Sequence, residues 1–268
     1  AEPSRATRAM FEAAIEAGVS VILGARVTRV DIQAGHVHGV WIGRRHYRAD
    51  QVLCAAGTES SKLLRAVGYI LPQERIRATV ARTVPAADLT VNPCISLPLT
   101  GIRQDARGAF VFSVAGGEYD VRFDSWRTMR HYKETHKNNP DAARINYLGP
   151  LQRFAPSRPL VPIADIAPTS EAVEPAHYRV QQAQDELSRF LPAIADLEIE
   201  AVWAGIIDTL PDVIPVMGHV DGVNGLLVAT GFSGHGFGLG PMAGKVMAEL
   251  AQGHSSSVDI SGLSPDRF

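Results

Sequence analysis

The sequence predicts a mixed α/β fold, in which a middle domain of mostly antiparallel strands is flanked by α/β segments from both ends of the chain. Residues 51–68 and 225–250 each read as an apolar strand, a turn of small residues and a helix, the order that α/β folds use at nucleotide sites. Between them, residues 74–84 alternate polar and apolar side chains, which is typical of an antiparallel strand.

Composition limits the classes of function. The chain has 268 residues, of which 46% are hydrophobic, so it can bury one sizeable core or two smaller ones. The net charge is -2 and the basic residues are dispersed, which argues against a nucleic-acid partner. No apolar run approaches membrane-spanning length, and no signal peptide is visible. Cys54 and Cys94 show neither metal-ligand spacing nor a disulfide framework, so we expect a reducing, cytoplasmic location.

The first residues predict a helix followed by a buried strand. Residues 3–17 carry apolar side chains at helical spacing, and Gly18 stands where a C-terminal cap belongs. Residues 19–23 are expected to form the buried strand. Three short strands follow around turns at Gly35 and Gly43, over residues 26–32, 36–42 and 46–48.

The alternation over residues 74–84 also assigns faces. Ile76, Ala78 and Val80 share the apolar side, so we expect a half-exposed strand whose buried face consists of these residues.

The middle of the chain continues with further strands. Residues 109–114 and 118–123 predict a hairpin about Gly116–Gly117. Between residues 124 and 170 the periodicity weakens, which indicates a surface excursion able to cover a site. The remaining expected elements are a helix over residues 178–191 and strands over residues 197–207 and 214–220.

The C-terminal stretch predicts a strand, a glycine loop and a helix. Residues 226–229 are apolar, residues 231–240 place a glycine at nearly every second position, and Pro241 is expected to open the helix. Such a loop lets the backbone approach a flat or anionic ligand, and the helix start behind it presents free N–H groups. The spacing departs from the dinucleotide fingerprint, so the glycine pattern alone leaves ordinary helix-on-sheet packing equally open. The expected apolar face of the helix comprises Met242, Val246, Met247 and Leu250.

Two polar residues are candidates for catalysis. His235, between two glycines, could bond to a ligand or exchange a proton, and a solvent-exposed loop histidine is an equal alternative. Asp208 follows the apolar strand that contains Trp203 and stays open as a general acid or base. Three other patterns have simpler explanations than catalysis. His36 and His38 are expected to be exposed strand histidines, Ser60 and Ser61 to cap the following helix, and Asp212 to belong to a turn.

Four segments together resemble a known family. GVSVILGARVTRVD, ADQVLCAAGTESSKLLRAVG, WAGIIDTLPDVIPVMGHV and GLLVATGFSGHGFGLGPMAGKVMAEL are similar, in this order, to the middle and C-terminal parts of the D-amino acid oxidase superfamily. That superfamily of FAD-dependent oxidoreductases includes glycine oxidase, sarcosine oxidases and D-amino acid dehydrogenases. The resemblance implies an incomplete Rossmann-like FAD-binding domain from residues 1–72, with an inserted β-meander, and residues 204–268. Residues 73–203 would form a substrate domain on a mostly antiparallel sheet.

The resemblance also assigns cofactor and substrate residues. The strand start at Arg26 and Val27 resembles the one whose backbone meets the adenine of FAD, and the turn Ala55, Ala56 and Gly57 resembles the one beside the pyrophosphate. The loop that would lie beside the isoalloxazine ring comprises Gly234, His235, Gly236, Phe237 and Gly238. Substrate contacts are expected from Phe112, Tyr119 and Trp203.

Three positions depart from the family pattern. Gly238 stands where sarcosine-oxidase-like members often have a lysine, and Ile206–Ile207 stand where glycine-oxidase-like members have an arginine. The usual carboxylate clamp is therefore absent from these positions, so either another basic residue replaces it or the substrate is not a simple α-amino acid. Ala204 and Gly205 stand where some relatives have a flavin-linking cysteine, which implies non-covalent FAD with Gly205 beside it.

The expected function is that of an FAD-dependent oxidoreductase, or a subunit or fragment of one. It would oxidise the C–N bond of an amine or amino acid by hydride transfer to flavin N5, giving an imine that hydrolyses, with His235 serving flavin electrostatics. The family's N-terminal G-x-G-x-x-G segment has no counterpart in the sequence, so we expect a polypeptide that supplies it. The alternative is a non-catalytic subunit or fragment that completes a cofactor site in a heteromeric dehydrogenase.

Overall fold

The computed structural model describes residues 2–122, 125–140, 142–147 and 173–268. Its helices are α1 (Pro3–Glu16), α2 (Ser60–Arg65), α3 (Lys133–Asn138), α4 (His177–Phe190), α5 (Pro192–Ala195) and α6 (Gly236–Ala251). Its strands are β1 (Val27–Gln33), β2 (His36–Ile42), β3 (Arg45–Arg48), β4 (Val52–Cys54), β5 (Glu74–Pro85), β6 (Ile95–Ser96), β7 (Thr100–Gln104), β8 (Ala109–Val114), β9 (Gly117–Asp120), β10 (Ala143–Asn146), β11 (Ile199–Thr209), β12 (Val216–His219) and β13 (Leu226–Thr230). The mixed α/β fold class is confirmed.

The chain divides into two compact units. The first unit contains Ala1–Ser20, Ile76–Phe123 and Asn139–Ile206, and the second contains Val21–Arg75, Asp124–Asn138 and Ile207–Phe268. The expected domain boundaries after residues 72 and 203 stay a prediction.

Strand β5 is the centre of the seven-stranded sheet of the first unit. Strands β8 and β9 both run antiparallel to it, β8 along its second half and β9 along its first half. They do not pair with each other within the described residues, so the hairpin predicted about Gly116–Gly117 is wrong. Gly117 has a different use, because a Cβ there would lie 2.5 Å from the carbonyl oxygen of Arg77 on β5. The glycine permits close approach of two backbones.

The buried face of β5 also differs from the prediction. Thr79, Ala81 and Thr83 are buried, whereas Ile76, Ala78 and Val80 are only half-buried. Burial of the two threonines is possible because their hydroxyls accept hydrogen bonds from backbone N–H groups of Ala176 and Phe110, at 2.8 and 3.0 Å. Binary patterning missed this because it treats threonine as a solvent-facing residue. The helix predicted over residues 178–191 is confirmed as α4, and it packs on this sheet through Val180, Ala183 and Leu187.

The second unit contains two small sheets. Strands β1, β2 and β3 form the predicted antiparallel meander, and β13 lies between β12, which is antiparallel to it, and β4, which is parallel to it. Every residue of β13 is buried, because α2 covers one face and α6 the other. The two clusters comprise Leu226 and Val228 with Leu64 of α2, and Leu227 and Ala229 with Val246 and Met247 of α6.

The predicted helix over residues 3–17 is confirmed as α1, but the buried strand predicted over residues 19–23 is wrong. These residues pair with no strand in the part of the chain that the structure describes, and Leu23 is 78% exposed. An apolar run becomes a strand only where a second strand offers backbone partners. The described residues contain the run but no strand that pairs with it.

Most of the surface excursion predicted over residues 124–170 lies outside the described residues. The described part contains α3 and β10, with β10 pairing in parallel with β9. Among the described helices, none combines the length and the apolar character needed to cross a membrane.

The buried carboxylate of Glu118 on β9 depends on α4. Its Oε1 accepts hydrogen bonds from Arg179 Nε at 2.9 Å and from the Tyr178 hydroxyl at 2.5 Å, and the residue is 4% exposed. Replacing Arg179 with Met keeps the side-chain volume but removes the cation that is hydrogen-bonded to this buried charge. We expect the free energy of unfolding to fall by about 3–5 kcal/mol, measured by urea denaturation. The control Arg189→Met, at an exposed position of the same helix, should change it by less than about 0.5 kcal/mol. Equal values for the two variants would contradict this account.

The two thiols should differ in reactivity. Burial raises the pKa of the Cys54 thiol on β4, whereas Cys94 is exposed. Because the thiolate is the reactive form, a thiol reagent at pH 8 should modify Cys94 at least about tenfold faster than Cys54. Mass spectrometry of quenched samples measures both rates. In a Cys94→Ser variant the fast reaction should disappear, and modification of Cys54 at the rate of Cys94 would show that β4 is open to solvent.

Candidate functional site

Two small-residue turns lie at one edge of the second unit's parallel strand pair. Strands β4 and β13 are in register, with Cys54 opposite Val228, so their carboxyl ends meet at the same edge. Ala55, Ala56 and Gly57 follow β4 and are all exposed, and Gly231 follows β13. In open α/β sheets, ligands bind outside the carboxyl ends of the strands. The structure therefore brings the predicted pyrophosphate turn and the start of the predicted glycine loop of residues 231–240 to one edge.

Side chains of buried polar residues connect the two turns. Gln73 Nε2 donates to the carbonyl oxygen of Gly57 at 3.0 Å, and Thr230 Oγ1, whose one proton can go to this oxygen or to Asp208, lies 3.3 Å from it. Asp208 Oδ2 accepts hydrogen bonds from both side chains and from the N–H of Gly231. Gln73 is 3% exposed and Thr230 is 1% exposed. Of this network, the sequence singled out Asp208 and Gly57 but missed Gln73 and Thr230.

Helix α6 begins earlier than predicted. It starts at Gly236, and Pro241 lies inside its second turn. Proline lacks an N–H, so the carbonyl of Phe237, four residues earlier, loses its helical partner, yet the helix continues because the following residues pack on the sheet. The predicted apolar face is corrected in one position, since Met242 is exposed, and the residues that pack on β13 include Ala243, Val246 and Met247.

The start of α6 has properties that suit an anionic ligand. The first N–H groups of a helix have no partner inside it, and within the described residues no side chain caps α6. The positive end of the helix dipole is therefore open at His235, which precedes the helix and is itself exposed. The side chains of Phe237 and Leu239 are exposed beside it. The arrangement combines an electropositive backbone with an apolar surface.

The glycines of this region serve two different purposes. Gly231 has φ +74°, and a Cβ there would lie 2.2 Å from Leu210 Cδ1, so packing inside the chain demands glycine. At Gly238, Gly240 and Gly244, an added Cβ would have no heavy atom within 4 Å, apart from the adjacent residues and the nearby backbone of the helix itself. Packing within the described chain does not explain glycine at these helical positions, where it costs about 1 kcal/mol relative to alanine.

Arg26 and Val27 lie close to the first turn. The Arg26 guanidinium is 3.4 Å from the carboxylate of Glu59, which follows Gly57 in a short 3₁₀ turn, and Val27 begins β1. Glu59 also binds Lys62 and Arg75, at 2.8 and 3.6 Å. The predicted adenine and pyrophosphate segments are thus neighbours.

The expected substrate residues belong to the first unit. Phe112 on β8 is 2% exposed and packs in the hydrophobic core with Phe110 and Leu187, which favours a packing role for this ring. Tyr119 on β9 stands opposite Ile76, and Trp203 on β11 is half-buried. Gly205 is also half-buried on β11, and an added Cβ there would have no heavy atom within 4 Å apart from the two adjacent residues.

Metal-ligating side chains do not cluster at the site. Within the described ranges, no group of three His, Cys, Asp or Glu residues has the arrangement needed to hold a metal ion. His36 and His38 are both exposed on β2.

Two curated relatives show sequence similarity to nearly the whole chain. The glycine oxidase of Pseudomonas aeruginosa is 26% identical over 229 residues, which cover 85% of this chain and 49% of the relative. The D-amino acid dehydrogenase of Rhizobium rhizogenes is 20% identical over 269 residues, which cover 98% of this chain and 51% of the relative. The chain therefore spans about half the length of these curated relatives.

A solved structure shares the fold. L-amino acid deaminase from Proteus vulgaris superposes with a TM-score of 0.83 at 20% identity, covering 98% of this chain and 62% of that protein. The sequence model of the DAO family, described as FAD dependent oxidoreductase, matches residues 1–250, and the chain therefore belongs to this family.

Proposed function

We propose that this chain forms part of an FAD-dependent oxidoreductase that oxidises the C–N bond of a small amine or amino acid. The observation that carries the proposal is the start of α6, where Gly238 and Gly240 face open space within the described part of the chain, beside uncapped N–H groups. A planar, electron-rich ring system is the kind of ligand that such a surface admits, because side chains would block it and the helix dipole attracts its negative charge.

The residues present fit this cofactor. We propose that Gly234, Gly236, Phe237 and Gly238 lie beside the isoalloxazine ring, and that Ala55, Ala56 and Gly57 lie beside the pyrophosphate. Arg26, Val27 and Gly205 complete the proposed non-covalent contacts. Apart from Val27 in a strand and Gly205 in the first unit, these residues are exposed or half-buried and lie in loops, turns or the start of a helix. The exposed backbone of the Gly57 turn offers N–H groups to phosphate.

When bound, the flavin supplies the two-electron chemistry, in which a hydride from the carbon beside a neutral amine passes to N5 and water hydrolyses the resulting imine to a carbonyl compound and an amine or ammonia. The chain's own residues position the substrate and exclude water. The positive end of the α6 dipole and His235 would stabilise the negative charge that the ring system gains on reduction. No strong base is required, because the substrate reacts as the neutral amine.

The wall next to the loop is aliphatic. Ile207 Cδ1 lies 3.7 Å from the position of an added Cβ on Gly234, so the side chain lies alongside this loop. An aliphatic wall offers no cation to a substrate carboxylate. We therefore propose that a substrate carboxylate, if there is one, is bound by a basic residue elsewhere, with Tyr119 and Trp203 as candidates for apolar substrate contacts.

We also propose that a further polypeptide segment covers part of the second unit. Among the described strands, β4 lies at an edge of its sheet with Leu53 44% exposed, and Val21, Ile22 and Leu23 of the same unit are also exposed. An open apolar strand edge is a surface that natural proteins cover. The segment can belong to the same polypeptide or to another one, and in the second case the chain would complete a cofactor site in a heteromeric dehydrogenase.

A cytoplasmic location is part of the same proposal. Cys54 and Cys94 are both free thiols, which suits a reducing compartment.

The visible absorption of the flavin tests the proposed function. In the fully assembled protein, anaerobic addition of a substrate amine or amino acid should bleach the visible flavin absorption, because two electrons pass to the ring. A panel of primary and secondary amines, N-substituted glycines and amino acids of both hands identifies the class. If no member of the panel bleaches the flavin, the oxidoreductase proposal is wrong. A folded but colourless chain that becomes coloured only with a companion polypeptide would favour the heteromeric alternative.

Substitution of Gly238 should affect FAD binding without lowering the stability of the fold. Gly238→Ala adds a methyl group where the described chain leaves open space, so the free energy of unfolding of the apo-protein should stay equal or rise by up to about 1 kcal/mol. The same methyl group should raise the dissociation constant for FAD at least about tenfold, because the ring would have to move away. Fluorescence titration of the apo-protein with FAD measures it. Gly244→Ala, two turns along α6 and equally open, is the matched control and should bind FAD as the wild type does. Tight binding by both variants would remove Gly238 from the site.

A further inference from the structure

We propose that Asp208 is a positioning residue that locks the turn after β4 to the turn after β13, rather than a general acid or base. The coupling of the two turns is a property of the chain itself. Its consequence for FAD rests on the function proposed above.

One carboxylate oxygen of Asp208 gathers three donors. Asp208 Oδ2 accepts from the N–H of Gly231 at 2.7 Å, from Gln73 Nε2 at 3.1 Å and from Thr230 Oγ1 at 3.2 Å. Hydrogen bonds to a charged acceptor are roughly twice as strong as neutral ones. A carboxylate held this way fixes the residues around it.

The backbone of Asp208 is tied to the same loop. Its carbonyl oxygen accepts from the N–H of Ser233 at 3.0 Å, and the Ser233 hydroxyl in turn accepts from the N–H of Leu210 at 3.3 Å. Ser233 has φ +51°, a conformation that a non-glycine residue keeps only when its surroundings hold it. Residues 231–233 are therefore fixed from two sides by the segment that contains Asp208.

Gln73 extends the network to the other turn. Its Nε2 lies within hydrogen-bond distance of Asp208 Oδ2 and of the Gly57 carbonyl, and its Oε1 accepts from the N–H of Ser61 at 3.1 Å. Ser61 lies in the first turn of α2, where an N–H has no partner inside the helix. One side chain thus caps α2, holds the Gly57 turn and contacts Asp208.

Because the network is buried, the loss of one of its members affects the others. Gln73 and Thr230 are almost inaccessible to water, so loss of one acceptor leaves polar groups that solvent cannot satisfy. Removing the Asp208 carboxylate should loosen not only the adjacent Gly231 loop but also the Gly57 turn, which is distant in sequence.

Two substitutions separate positioning from acid–base chemistry. Asp208→Ala removes the acceptor. Asp208→Asn keeps an amide oxygen that can occupy the place of Oδ2, but it cannot act as a base. A positioning role therefore predicts that Asn rescues what Ala destroys, whereas a catalytic role predicts that both variants fail.

Hydrogen exchange of the full-length apo-protein tests the coupling. In Asp208→Ala we expect the amides of Ser61 and Gly231 to exchange at least about tenfold faster than in the wild type, and in Asp208→Asn within about threefold of it. Asp212→Ala is the matched control, because Asp212 lies four residues away and pairs with Arg267 at 2.7 Å. It should leave the Ser61 amide unchanged. Unchanged exchange at Ser61 in Asp208→Ala would overturn the proposal, whatever the protein binds.

The effect on FAD binding is tested by titrating the assembled wild-type protein and the assembled Asp208 variants with FAD. We expect Asp208→Ala to raise the dissociation constant at least about tenfold and to shift the flavin spectrum, with Asp208→Asn close to the wild type. If Asp208→Asn binds FAD as the wild type does but loses kcat, Asp208 acts through its charge in the reaction and the proposal is wrong. Failure of the proposed function itself would be visible separately, as a wild-type protein that binds no FAD.

Discussion

The parallel pairing of β4 with β13 is the constraint on which the candidate site depends. It brings two turns to one edge, although most of the chain lies between the two strands. Because parallel neighbours expose their carboxyl ends on the same side, the turn at Gly57 and the loop from Gly231 face the same region. Helix α6 then aligns its amino end with that edge, since its other residues are packed on β13. The electrostatic character of the site thus follows from the packing of one helix on one strand.

The glycines illustrate how packing and ligand access can be told apart. At Gly231 and Gly117 an added methyl group would strike neighbouring atoms of the protein, so the fold itself excludes other residues. At Gly238 and Gly240 the protein leaves space. Glycine inside a helix costs stability, and a bound ring would account for that cost at Gly238, whereas Gly244 is equally open and lies outside the proposed cofactor contacts. Of these open glycines, Gly238 is also one of the residues that the family resemblance places beside the isoalloxazine ring.

Local patterns in the sequence predicted most elements of secondary structure, and the errors have identifiable physical causes. The meander, α1, α4 and the strand, turn and helix units could be predicted because their periodicity and glycine caps are local. The strand over residues 19–23 and the hairpin at Gly116–Gly117 failed because strand pairing depends on partners that are not adjacent in sequence. Of the candidate site, the glycine loop and Asp208 could be found from the sequence. Gln73 and Thr230 could not, because a buried hydrogen-bond network has no periodicity.

The separation of β4 from β13 along the chain also bears on how the protein folds. Joining distant segments carries a loop-closure entropy, and topologies rich in such contacts fold slowly. The meander of β1 to β3 closes only short loops, so it is able to form as soon as its own residues have been made. The sheet of β12, β13 and β4 must wait until the residues of β13 have left the ribosome, so the candidate site assembles later than the meander.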